Sequence, residues 1–157
     1  MARLKIDNGY EPYIFRLHDR KSPVEFRDET LLAIDSQTDR VLAFGSDSRK
    51  YISDPSDNIC VICPLRNGAP ADFDLTATML KCFMKKAGVP GTFVRPSALV
   101  CLPDGITGVE RTALHDAFMQ AGCGNLMLFE EPFDEAVKKY GDKYRIIVEF
   151  EVNKNEA

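Results

Sequence analysis

Tryptophan is absent from this 157-residue chain, and histidine occurs only twice, at His18 and His115. The two histidines lie far apart in sequence, and His115, on a helix's polar edge, reads as a solvated or core-edge residue and not as a catalytic base. No apolar run approaches the roughly 18 residues of a membrane-spanning helix, which argues against membrane insertion. There is no surplus of positive charge. Lys and Arg number 20 against 24 Asp and Glu, for a net charge of −4, which argues against a nucleic-acid partner. The opening Met1–Tyr10 has no signal-peptide core, so a cytoplasmic location is expected. The 5 cysteines are odd in number and come without secretory context, as expected of reduced thiols. No Walker loop, G-x-G-x-x-G, G-x-S-x-G or H-E-x-x-H occurs.

What is present is a 45% apolar composition in a length suited to one domain, residues 1–157. Leu4 and Ile6 alternate with polar neighbours and stop at the turn Asp7-Asn8-Gly9. Tyr13, Phe15 and Leu17 then repeat every second residue, a second strand after a tight turn. Val24 and Phe26 suggest a third strand, and Leu31–Ile34 with Val41–Phe44 a further hairpin. The first 45 residues therefore read as an antiparallel meander, with a short helix expected near Ser48–Ile52. Beyond them, Asp72 is placed to cap a helix running through Ala87, with Leu75, Met79, Cys82 and Phe83 on one face. Gly88 follows as its left-handed stop.

The richest stretch runs from Arg95 to Pro132. Ala98–Leu102 is apolar without alternation, as in a central strand covered on both faces. Pro103-Asp104-Gly105 turns the chain, and Thr107-Gly108-Val109-Glu110 spells a capping box. Val109, Ala113, Leu114, Ala117, Phe118 and Ala121 follow at helical spacing. Asn125–Phe129 is the next buried strand, and Pro132 is expected at the first position of a further helix to about Tyr140. Tyr144–Val152 alternates as a last strand. The succession helix–strand–helix–strand–helix–strand puts the later strands parallel in one mixed sheet with helices packed on it.

Several sites compete. Cys60-Val61-Ile62-Cys63 has C-x-x-C spacing, but positions three apart on a strand face opposite sides, so buried structural cysteines are expected and no metal. Lys81, Lys85 and Lys86 read as a solvated helix face. Glu130-Glu131 is the strongest chemical candidate. Two carboxylates at a strand end beside a helix N-terminus are placed to hold a water or a cation. The other reading is that Glu131 merely caps the helix begun by Pro132.

The segment Pro64–Pro132 strongly resembles the MreB family of bacterial actin homologues. The resemblance rests on the P-L-x-x-G-x-x-A-D-F entry to a helix, the P-x-G-I-T-x-V-E-R helix start and the E-E-P corner. Ile6-Asp7-x-Gly9 and the paired L-L-A-I-D and V-L-A-F-G strands extend it towards the N-terminus. It implies an α/β, ribonuclease-H-like, actin-like ATPase domain: a mixed five-stranded sheet with flanking helices and an N-terminal β-hairpin extension. It covers only the first half of the family's length, so the family's second domain is expected to be absent. In the intact family ATP and Mg²⁺ lie between two such domains, Asp7 and Gly9 match the first phosphate loop, and Glu131 matches the glutamate that positions the hydrolytic water.

Departures from the pattern decide the expectation. Tyr10 stands where a small hydroxylated residue belongs, and Glu11-Pro12 adds a negative charge and removes an amide donor. Ile146–Asn153 stands in place of the family's glycine-rich second loop and contains no glycine. The expectation is a degenerate, non-catalytic half, a pseudo-ATPase with no cofactor of its own. It would act as a protein-binding module on MreB-type filaments or cell-wall-synthesis proteins, with homodimerisation through the uncovered surface possible. The alternative is one half of a split ATPase, binding ATP and Mg²⁺ only when another chain completes it.

Overall fold

The computed structural model describes residues 11–22, 25–52, 58–66, 68–89, 95–102 and 105–152. In chain order the elements begin with β1 (Ile14–Asp19), β2 (Phe26–Glu29), β3 (Leu32–Asp35) and β4 (Val41–Phe44). A 3₁₀ helix (Gly45–Tyr51), β5 (Ile59–Ile62), β6 (Leu65–Arg66) and β7 (Ala69–Pro70) follow. Then come α1 (Phe73–Lys86), β8 (Ala98–Cys101), α2 (Gly108–Gln120), β9 (Leu126–Phe129), α3 (Phe133–Tyr140) and β10 (Ile146–Glu151).

A five-stranded mixed sheet in the order β2-β1-β10-β8-β9 forms the centre. β8, β9 and β10 run parallel, as the alternation of strands and helices demanded, while β1 pairs antiparallel with β10 and β2 antiparallel with β1. The strand-and-turn pattern of the first 45 residues is not one continuous meander. β1 and β2 join the central sheet, whereas β3 and β4 join β5 in a separate three-stranded sheet. The hairpin contacts are local in both cases, so sequence periodicity alone does not say which sheet each pair enters.

The expected first strand at Leu4 and Ile6 lies outside the described residues. Among those described, both edges of β1 are already taken: β10 pairs one and β2 the other. β10, the last strand, therefore sits in the middle of the sheet and not at its rim.

Alternation along β10 sorts the molecule into layers. Ile146, Val148 and Phe150 face α1 and α2 in the main core with Phe15, Leu17, Ala98, Val100, Leu114 and Phe118. Ile147 faces the other way, with Leu99 and Cys101, against Phe133 and Ala136 of α3. β8 is buried at all four positions, as its unbroken apolar run predicts. β9 is not the buried strand its sequence suggested. It forms the sheet's edge, and Met127 is 47% exposed.

Phe83 of α1 ties the two sheets together. Its ring lies 4.7 Å from that of Phe15 and 5.8 Å from that of Phe26, both in the central sheet, and 5.9 Å from that of Phe44 in the other.

The helix ends follow their sequence signals. Asp72 accepts from the Leu75 amide at 3.0 Å, and Gly88 adopts φ +82° after α1. Thr107 Oγ1 accepts from the Glu110 amide at 3.2 Å while the Glu110 carboxylate accepts from the Thr107 amide at 2.9 Å, completing the capping box. Two details differ. Val109 is 83% exposed and not part of the core stripe. Five residues turn a helix by about 140° beyond a full revolution, which carries Val109 away from the face that buries Leu114, Ala117 and Phe118. Pro132 is the N-cap of α3 with an extended ψ of 151°, so the helix begins one residue later than expected, at Phe133.

Candidate functional site

The parallel strands β8, β9 and β10 all end on one side of the sheet, where open α/β sheets place their ligands. Cys101 ends β8, Phe129 ends β9 and leads into Glu130-Glu131-Pro132, and Glu149 and Glu151 end β10. This is the neighbourhood in which the sequence placed its best candidate.

Glu131 directly precedes Pro132, the N-cap of α3. That helix has no side-chain cap bond at its N-terminus. The Glu131 carboxylate instead accepts from Lys139 Nζ at 2.9 Å, in the last turn of the same helix. Both side chains are about half exposed, at 42% and 52%. The ion pair and its hydrogen bond raise the pKa of Lys139 above the usual lysine value. Glu130 is exposed. Asp7 and Gly9, the other residues matched to a nucleotide site, lie outside the described residues, as does Tyr10.

The most elaborate polar arrangement was not singled out from the sequence. It is built around Arg16 on β1, which faces Glu149 directly across the β1–β10 pair. The guanidinium donates from Nε to Glu25 at 2.6 Å, from Nη1 to Glu149 at 3.2 Å and from Nη2 to Asp134 at 3.4 Å. Glu151 lies 3.8 Å from Nη1 and also accepts from Arg27 at 2.9 Å. The Arg16 guanidinium carbon stands 4.2 Å from the centre of the Phe133 ring, so the start of α3 packs on it.

Charge in this cluster is strongly biased. Burial works against ionising Arg16, but its hydrogen bonds to the Glu25 and Glu149 carboxylates outweigh it and hold the guanidinium charged. Burial also acts on Glu25, and there Arg16 wins, lowering its carboxyl below the usual range. At Glu149 the balance reverses. Burial outweighs the bond to Arg16, and with Glu151 beside it the carboxyl is raised. Cys101, level with Glu149 in the next strand, is pushed up to about 12 by burial and then by that carboxylate. Its thiol stays protonated at neutral pH and is no nucleophile.

The remaining candidates resolve simply. Cys60 belongs to the main core and Cys63 to the small core under the second sheet, so the C-x-x-C pair is divided between opposite faces. No group of His, Cys, Asp or Glu among the described residues is arranged to hold a metal ion. His115 contacts its neighbour Asp116 at 3.1 Å on the exposed side of α2. Lys81 and Lys85 are exposed, while Lys86 reaches over the Phe44 ring at 5.6 Å. No helix among the described residues is long and apolar enough to cross a membrane.

A signal for the Arg16 cluster was present in the sequence. Arg16 falls between buried Phe15 and Leu17, and Glu149 and Glu151 alternate with Val148 and Phe150. Charges on the alternate face of two apolar strands imply a second packed layer, but the register that sets them opposite each other is a tertiary fact.

The sequence profile of the MreB/Mbl protein family matches residues 5–139. The chain belongs to the MreB/Mbl family. The cell shape-determining protein Mbl of Bacillus subtilis is 35% identical over 116 residues, which is 74% of this chain and 35% of Mbl. The cell shape-determining protein MreB of Escherichia coli is 38% identical over 99 residues, 62% of this chain and 28% of that protein. This MreB/Mbl chain thus spans about a third of the length of the relatives it matches. Among solved structures, MreB5 of Spiroplasma citri bound to AMPPNP superposes with a TM-score of 0.60 at 22% identity, over 75% of this chain and 35% of that one. A MamK double helical filament gives 0.56 at 14% identity, over 72% and 36%. These likenesses establish the actin-like α/β fold expected from the sequence.

Proposed function

We propose that this member of the MreB/Mbl family is a non-catalytic, degenerate cytoskeletal module that works by binding proteins. Its natural partners are MreB-type filaments and the cell-wall-synthesis proteins that act with them, in the cytoplasm, with self-association as a further contact. The observation that carries this reading is the acidity of the strand ends. Glu149 and Glu151 close the central strand, Glu130 and Glu131 close β9, and Arg16 is committed to carboxylates on several sides. A triphosphate brought to that edge meets like charge, and the Arg16 guanidinium there already donates to Glu25, Glu149 and Asp134.

ATP and Mg²⁺ belong to the family's intact site, and the described residues fit them poorly. Glu131 is drawn to Lys139, and a glycine-free strand offers no nest of amides for phosphate oxygens. Isothermal calorimetry of the 157-residue chain with ATP and Mg²⁺ tests this, with no binding as the expected result. Affinity on the order of micromolar sinks the reading. Co-sedimentation with MreB filaments tests the other half; failure to associate with filaments or with cell-wall-synthesis proteins counts against it. Nucleotide binding that arises only on adding a second chain would point to the split ATPase.

A further inference from the structure

The two edges of the central sheet are finished differently. β2, at one edge, carries Arg27, Asp28 and Glu29, and its two carboxylates engage the neighbouring 3₁₀ helix. Asp28 accepts from the Ser46 amide at 2.7 Å, and Glu29 accepts from Arg49 at 2.6 Å. Charge and a covering element are the usual protection of an edge strand. β9, at the other edge, reads Leu126-Met127-Leu128-Phe129, without a charge or a proline. Among the described residues no strand pairs with its outer side.

The backbone of β9 is set for a further strand. The Asn125 carbonyl accepts from the Ala98 amide at 2.8 Å, and that of Phe129 from the Leu102 amide at 2.7 Å. Polar backbone groups alternate between the two edges of a strand, so Met127 also bonds to β8, while Leu126 and Leu128 point theirs outward. The Leu126 and Leu128 side chains pack on the main core. Met127 lies on the opposite face, 47% exposed, where its sulfur accepts from the Tyr144 hydroxyl at 3.4 Å.

We infer that β9 is the contact through which two copies of this chain pair, edge to edge and antiparallel, into one continuous sheet. The inference rests on the self-association proposed above and assigns it a surface. Only a register that sets outward residues against outward residues forms bonds. The register centred on Met127 sets Leu126 of each copy against Leu128 of the other, and Met127 against its own counterpart. Glu130 of each copy then falls opposite Gly124 of the other. Gly124 lies against Arg95: a Cβ placed on it would stand 2.9 Å from the Arg95 Cβ. Glu130 and Arg95 are both exposed, so each end of the paired strands brings a carboxylate to a guanidinium. Because β2 offers no second edge of this kind, the assembly closes as a dimer.

Sedimentation velocity of the full chain over a concentration series should find dimers. Met127→Lys sets two cations against each other at the twofold axis. It should weaken dimerisation about tenfold or more and leave the circular dichroism unchanged. Glu130→Arg and Arg95→Glu should each weaken the dimer too, and the double variant should restore it. A non-hydrogen-bonded antiparallel pair brings its Cα atoms to about 4.5 Å, within disulfide range. Met127→Cys should therefore cross-link two copies on mild oxidation, in a Cys82→Ser background that leaves only the buried native cysteines. A monomer at every concentration overturns the inference together with the self-association. A dimer that Met127→Lys leaves untouched, or that the charge exchange fails to restore, overturns this surface and leaves self-association standing.

Discussion

Asp19 and Arg145 close the antiparallel β1–β10 pair with a two-pronged bond, Nε to Oδ1 at 2.7 Å and Nη2 to Oδ2 at 3.0 Å. The side chains are only 6% and 14% exposed, and Asp19 also accepts from the Lys21 amide at 2.9 Å. The hydrogen bond from Arg145 holds the Asp19 carboxyl below its usual range against the opposing effect of burial.

A pH dependence follows. A carboxyl whose folded pKa is depressed contributes stability that is present above its unfolded value of about 4 and is lost as pH falls through the folded value. Urea denaturation should therefore show stability declining from about pH 5 downwards. Asp19→Asn should lose about 1–3 kcal/mol at pH 7 and flatten that acid slope. An unchanged slope in the variant would remove Asp19 from the account.

Two carboxylates that share Arg16 should respond oppositely to neutralisation. Glu25 is held below the usual range by Arg16 despite its burial, so Glu25→Gln should lower the urea midpoint at neutral pH. Glu149 is raised, because burial and the adjacent Glu151 outweigh the same guanidinium. A raised acid means the native state prefers the proton, so its stability contribution falls as pH rises from the unfolded value through the folded one. Glu149→Gln should accordingly hold or raise the neutral midpoint. The sign difference, measured on matched variants, is the observable.

Phe83 should be the costliest single truncation in α1. Its ring is 0% exposed and touches aromatic rings of both sheets. Phe83→Ala should destabilise by about 3–5 kcal/mol, because a cavity there loosens two layers at once. By comparison, Thr107→Ala removes one half of an exposed capping box and should cost about 1 kcal/mol. Chemical denaturation of the two variants side by side separates the two magnitudes.

Local signals were legible in the sequence, and tertiary assignments were not. Asp72, Gly88, Thr107 and Glu110 act within a few residues of themselves, and each behaves as its residue type requires. Cys60 and Cys63 parted to opposite faces because strand geometry alone decides that. Val109 was misread because adjacency to an apolar stripe does not fix the angle around the helix axis. β9 was misread because an edge strand and a buried strand can share a short apolar run. The central position of β10 and the Arg16 cluster depend on pairings between residues more than a hundred apart, which periodicity does not encode.

The pairing of Glu131 with Lys139 leads to a separation of stability from binding. Both groups are about half exposed and screened by solvent, so Lys139→Met should leave the unfolding midpoint nearly unchanged. That variant also frees the Glu131 carboxylate from its cation. If the lysine alone kept Glu131 from serving a nucleotide site, Lys139→Met would bind ATP and Mg²⁺ measurably better than the parent chain. The acidic strand ends argue otherwise: Glu149 and Glu151 remain in place, and Lys139→Met leaves Glu131 as a carboxylate without its cation. Calorimetry should therefore find no gain in affinity. A clear gain would show that Glu131 is a restrained site residue, and it would shift the balance towards the split ATPase.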